Sequence, residues 1–174
     1  MSRFDYCLKV VLNHEGGVSN DKHDHGGLTN YGVTQKVYDD FCKVTGREQK
    51  PVTEIAMNEV EAIYGGYWKD ASCSYMPDPL DLLVFDCAVN SGAGRAIKML
   101  QDVLGVDADG ICGKQTLAAL HDDIVAIGLH EICTMYLDNR EAFYVSIVQK
   151  NPTQKKFLQG WLNRADHLRE LTCG

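Results

Sequence analysis

The run Asp78-Pro79-Leu80-Asp81-Leu82-Leu83-Val84-Phe85-Asp86-Cys87-Ala88-Val89-Asn90-Ser91-Gly92 is apolar nearly all the way round a helix. Asp followed by Pro is a strong start signal, a capping side chain and then a residue whose missing N–H is unused in the first turn. Gly92 supplies the stop. A helix with no polar face is one that other elements surround, so residues 80–90 read as the central buried helix of an α-rich fold. Beyond Asp81 in its first turn, two polar residues, Asp86 and Asn90, interrupt it. Being four apart they share a face. They must find partners nearby or line a cleft, and cleft lining is the expectation taken here, with both residues holding polar groups of a ligand.

Outward from that helix the apolar spacing stays helical. Ser2 and Asp5 form a capping box, after which Phe4, Cys7, Leu8, Val11 and Leu12 recur on one face until Gly16-Gly17. Residues 18–33 are rich in Gly, Asp, Asn and His without period, a loop or a short irregular hairpin. Thr34 caps a second helix through Phe41, ended near Gly46, and Asn58 with Glu61 forms another capping box before Ile63, Tyr67 and Trp68. Beyond Gly92 come a helix through Leu104, a turn at Asp107-Ala108-Asp109-Gly110, and a helix through Leu120. A long inward-facing pattern then runs from Val125 to Ile147, and a last helix carries Phe157, Trp161 and Leu168. The sum is a mainly α single domain of about seven or eight helices, with Trp161 in the core.

Composition narrows the function classes. At 174 residues, 45% hydrophobic and 24% charged, the chain can bury a core, which excludes disordered and low-complexity classes. Seventeen Lys and Arg against 24 Asp and Glu leave a net charge of −7, a poor match for nucleic acid or an anionic membrane surface. No stretch approaches the roughly 18–20 apolar residues of a membrane span. Asp5 and Lys9 interrupt what would be the apolar region of a secretory leader. The seven cysteines are loosely spaced with no CxxC, so they read as reduced, mostly buried thiols.

Chemistry concentrates in Glu15-Gly-Gly-Val-Ser-Asn-Asp-Lys-His-Asp24-His-Gly-Gly-Leu-Thr29-Asn-Tyr31-Gly-Val-Thr34. Glu15 continues the apolar face of the first helix and stands at its C-terminal end, where the helix dipole disfavours a further negative charge. Both features favour the protonated carboxyl that a general acid requires. The adjacent glycines leave room for a bulky substrate. Asp24 follows after eight residues and Thr29 after four more, so the loop can return a second carboxylate and a hydroxyl across a cleft. Glycoside hydrolysis commonly uses such an arrangement, an acid for the leaving oxygen and a carboxylate or held water opposite.

Glu15-Gly-Gly through Gly26-Gly27-x-Thr29-Asn30-x-Gly32-Val33-Thr34 resembles the N-terminal signature of glycoside hydrolase family 108, the phage and bacterial muramidases. Phe85-Asp86-Cys87-Ala88-Val89-Asn90-Ser91-Gly92 resembles that family's central helix. Arg95 to Leu120 resembles its associated peptidoglycan-binding segment, and Asn151-Pro152-Thr153 through Trp161 and Arg164 resembles its ending. The resemblance implies a lysozyme-like fold, with residues 1–94 as a catalytic region and 95–174 as a helical C-terminal region packed into the same domain. It also implies cleavage of the β-1,4 bond between N-acetylmuramic acid and N-acetylglucosamine, with Glu15 as catalytic acid. The order Glu15, Asp24, Thr29 resembles the triad of phage-type lysozymes, with Thr29 about one residue early. On this reading Asn30, Tyr31, Asp86 and Asn90 bind the glycan and no cofactor or metal is needed. The partner is bacterial peptidoglycan, with no nucleic acid or membrane, and the chain is a monomer. As an endolysin without a leader it would collect in the host cytoplasm before reaching the periplasmic wall.

Two other readings use the same residues. His14, His23 and His25 with Asp21 and Asp24 would serve a zinc-dependent cell-wall peptidase or amidase, although no recognisable ligand spacing is present. A non-catalytic peptidoglycan-binding protein would need none of the acid chemistry. Asp107-x-Asp109-Gly110 lacks the remaining ligands of a calcium loop and reads as a turn.

Overall fold

The computed structural model describes residues 1–15 and 29–173. Among them are eight α-helices and one two-stranded hairpin, so the protein is mainly α with the expected helix number. The chain divides into two compact units, residues 1–66 and 67–174.

In the first unit, α1 (Arg3–Glu15) begins at the predicted box: the Ser2 N–H donates to Asp5 Oδ2 at 2.7 Å, and the Asp5 N–H returns to Ser2 Oγ at 3.1 Å. Its Cys7, Leu8 and Val11 are buried. Strands β1 (Thr29–Asn30) and β2 (Val33–Thr34) pair antiparallel, Thr29 with Thr34 and Asn30 with Val33. A two-residue turn joins them, and both its residues have positive φ, Tyr31 at 52° and Gly32 at 73°. That is the backbone of a type I′ hairpin, whose twist matches that of the strands.

Thr34 caps α2 (Gln35–Thr45) by accepting from the Val37 N–H at 3.2 Å, and Gly46 ends it in the left-handed region. The capping box expected at Asn58 and Glu61 lies two residues earlier. Glu59 reaches back to the Ala56 N–H at 3.0 Å, at the start of α3 (Met57–Asp70). The other claims on that carboxylate explain the choice of residue: Tyr38 Oη donates to it at 2.8 Å and Arg47 Nη1 at 3.1 Å. The Ala56 N–H above all, and then Tyr38 and Arg47, hold the Glu59 carboxyl below its usual range despite burial.

In the second unit, α4 (Leu80–Ser91) is the buried helix that its composition predicts, with every residue from Leu80 to Ala88 buried. Each of its large apolar side chains contributes about 1.5–3 kcal/mol by leaving water. Its start differs from expectation. Pro79 itself stands at the cap after a cis peptide bond, and no cap side chain bonds to the first turn. Helices α5 (Ala93–Val103) and α7 (Leu129–Lys150) pack on α4, and α8 (Lys155–Cys173) packs on α7.

Between α5 and α7 lies α6 (Lys114–Ala126). Val125, expected to face inward, lies in the last turn of α6 with 76% of its surface exposed. The long pattern is in fact two helices, broken at Gly128 with φ 92°. Asp107 to Gly110 is an irregular loop with a bend at Gly110 rather than a regular turn, tied to α5 by the Gln101 amide, which donates to Asp109 Oδ1 at 2.7 Å and accepts from the Gly110 N–H at 2.8 Å. Trp161 is half-buried between the rings of Tyr144 and Phe157, with centroids 5.3 and 5.9 Å away. All seven cysteines are thiols, five of them buried.

Candidate functional site

Glu15 is the last residue of α1 and half-buried. Its side chain meets the hairpin turn. A methyl group placed on Gly32 would lie 2.7 Å from Glu15 Oε2, 2.9 Å from Glu15 Cβ and 2.7 Å from Tyr64 Oη. Three groups distant in sequence therefore converge on one point: a carboxylate oxygen, a phenol and a backbone Cα. Glycine is required there twice over, by the positive φ and by the absence of room for a Cβ. The phenol has a second task, since Tyr64 Oη donates to the Tyr31 carbonyl at 2.7 Å. Tyr31 is not a glycine, and this bond holds it at φ 52°, a conformation that costs an L-residue roughly 1 kcal/mol or more.

Beside this junction is a cavity of about 530 Å³ in the first unit. Leu8 and Leu12 of α1, Met57 of α3 and Tyr31 of the turn give it apolar walls, and Lys9, Asn13 and Glu61 are polar members of its lining. Leu8, Leu12 and Glu15 follow at intervals of four and three, as do Met57, Glu61 and Tyr64. Each set forms one face of its helix. In both, the first two residues line the cavity and the third meets Gly32.

The other residues singled out from sequence separate into scaffold and surface. Thr29 is half-buried in β1 opposite Thr34. Asp24, with Asp21, His23 and His25, lies outside the described residues, and His14 is half-buried in the last turn of α1. Asn30, expected to bind a ligand, is 6% exposed. Its amide donates to the carbonyls of Val52 and Thr53, both at 3.4 Å, and so fastens the hairpin to the short helical turn Val52–Glu54.

Asp86, expected to hold polar groups of a ligand, does not line a cleft. It is wholly buried and both oxygens are taken. Arg140 Nη2 donates to Oδ1 at 2.6 Å, Arg164 Nε donates to both oxygens at 3.0 Å, and Arg164 Nη2 stands 2.8 Å from Oδ2. Burial alone would raise this carboxyl, but Arg140 and Arg164 outweigh it and hold Asp86 below the usual carboxylate range. Asn90 is exposed and joined to the same network from outside: Arg140 Nε donates to Tyr144 Oη at 2.7 Å, and that hydroxyl donates to Asn90 Oδ1 at 3.0 Å. Asp86 and Asn90, four apart on α4, are thus bridged by Arg140 and Tyr144, four apart on α7. The side-chain nitrogen of Asn90 has no hydrogen bond among the described residues.

Sequence reasoning named Gly32 only as part of a family signature and passed over Tyr64. The first carries a signal, a glycine as second residue of a two-residue turn between Thr-Asn and Val-Thr. Tyr64 carries only its spacing from Met57 and Glu61. Trp68, farther along α3, is 9% exposed with its ring edge-on to Phe85, centroids 5.2 Å apart, and belongs to the core.

Comparison with known proteins places the chain. Residues 8–92 match the family model described as Glycosyl hydrolase 108, and residues 95–166 match that of a predicted peptidoglycan domain. Among solved structures, that of SagA from Brucella abortus is similar at 30% identity with a TM-score of 0.80, over 96% of this chain and 91% of the other. No curated protein matches.

Proposed function

This chain belongs to the glycosyl hydrolase 108 family and is a glycoside hydrolase, and we propose that it cuts the β-1,4 bond between N-acetylmuramic acid and N-acetylglucosamine with Glu15 as general acid. The observation that carries the reading is the junction at Gly32. It holds a carboxylate at a helix end, half-buried, against a turn glycine that has no room for a Cβ and beside the Tyr64 phenol. The match of residues 95–166 to a predicted peptidoglycan domain supports peptidoglycan as the polymer bound.

Glu15 gives its proton to the bridging oxygen as the bond from that oxygen to the muramic acid carbon breaks. Positive charge then develops on that carbon and the ring oxygen. Asp24 stabilises this charge or, with Thr29, holds the water that completes hydrolysis, which also returns the proton to Glu15. Tyr31 holds the glycan, and Asn90 offers its amide to hydroxyl or acetamido groups. The enzyme works as a monomer without cofactor, an endolysin that collects in the bacterial cytoplasm until the membrane is opened.

The test is release of reducing sugar from purified peptidoglycan. Wild type releases it and continues to do so in EDTA, whereas Glu15→Gln loses roughly two to four orders of magnitude in rate with its fold intact. Loss of lysis in EDTA would favour a zinc peptidase or amidase. Absence of reducing sugar from both proteins would favour a silent binder.

A further inference from the structure

We infer that the cavity between α1 and α3 is a saccharide subsite that extends the active site, taking a sugar unit of the glycan strand next to the bond that Glu15 cleaves; the inference rests on the muramidase reading above. Its volume, about 530 Å³, lies in the range of about 300–1,000 Å³ usual for small-ligand sites.

Continuity with the active site comes from the two helical rows. The α1 face that gives Leu8 and Leu12 to the cavity gives Glu15 to the junction, and the α3 face that gives Met57 and Glu61 gives Tyr64. The turn closes the connection, with Gly32 against the acid and the adjacent Tyr31 lining the cavity. A sugar in the cavity therefore touches Tyr31, whose chain neighbour Gly32 lies against the carboxylate.

The chemistry of the lining selects the ligand class. A pyranose has apolar C–H faces and a rim of hydroxyl and acetamido groups. Tyr31, Leu8, Leu12 and Met57 offer apolar surface for the faces, and Tyr31 is stiffened by the hydrogen bond from Tyr64 to its carbonyl. Lys9, Asn13 and Glu61 offer donors and acceptors to the rim. Among the described residues no hydrogen bond or ion pair holds any of these three side chains, so a ligand need not displace a protein partner.

Met57→Trp places a large ring in the cavity mouth from a residue that is 44% exposed and tolerant of bulk. On defined strands of alternating N-acetylglucosamine and N-acetylmuramic acid, KM rises about tenfold, and more than kcat falls. A second measurement uses Glu15→Gln, which binds without cutting: titration with the tetrasaccharide shifts the methyl resonances of Leu8, Leu12 and Met57. Unchanged KM in Met57→Trp together with unshifted methyls, in an enzyme whose wild type still cuts the strands, overturns the subsite and leaves the muramidase reading standing. If wild type does not cut them, the muramidase reading fails and the titration alone decides: shifted methyls support a saccharide site, unshifted ones remove it. Should Met57→Trp not fold, the titration decides in the same way.

Discussion

Asp86 and Glu15 are carboxylates on apolar helical faces, and they have opposite surroundings. Asp86 sits in the middle of α4 in the second unit, with no exposed surface and both oxygens bonded to Arg140 and Arg164. Glu15 sits at the last residue of α1 in the first unit, half-buried, against a glycine turn and a phenol. A carboxylate in a helix interior is surrounded by side chains, so it is kept ionised by cations brought from elsewhere in the chain. A carboxylate at a helix end adjoins backbone, where a glycine clears space. The first arrangement stabilises a fold, and the second leaves a half-buried carboxylate beside a turn glycine. A polar residue on an apolar face therefore signifies little until its position along the helix is known.

The comparison breaks if the two sites respond alike to substitution. The largest expected effect is on stability: Asp86→Asn leaves two arginines with no carboxylate and destabilises the second unit by about 3–5 kcal/mol, read as a fall in thermal midpoint. Gly32→Ala follows. It combines a strained positive φ, worth about 1–2 kcal/mol, with a Cβ that must displace Glu15 or Tyr64, so turnover falls at least tenfold while the protein stays folded. Tyr64→Phe removes only the hydroxyl that secures the turn. It destabilises by about 1 kcal/mol and lowers kcat more than it raises KM, measured by steady-state rates on soluble glycan.

The smallest effect near neutral pH is the acid dependence of stability. Asp86 is depressed in the folded state, so its contribution is complete above the unfolded carboxylate value of about 3.9. It is lost as pH falls from there through the folded value. Denaturant titrations across that range should show the loss in wild type and a smaller one in Asp86→Asn.

Local features were legible in the sequence because their causes are local. The all-apolar run of α4, the Ser2–Asp5 box, the Thr34 cap and the Gly46 stop each depend on residues within a turn or two. The end of α1 at Glu15 was legible for the same reason, because two glycines follow it in the sequence. What was misread depends on distant partners. Asp86 and its arginines are 54 and 78 residues apart, and Asn30 meets carbonyls 22 and 23 residues on. Nothing in the spacing of Asn30 or Asp86 separates a residue that fastens the fold from one that binds sugar. Tyr64 escaped notice because a tyrosine on a helical face is ordinary until a turn from elsewhere is seen under its hydroxyl.

The most direct measurement is mass spectrometry of peptidoglycan digested by wild type and by Glu15→Gln in parallel. The account predicts muropeptides with new reducing N-acetylmuramic acid ends from wild type and essentially none from the folded variant. Intact glycan with severed peptide stems, new ends at N-acetylglucosamine, or equal digestion by the variant would contradict it.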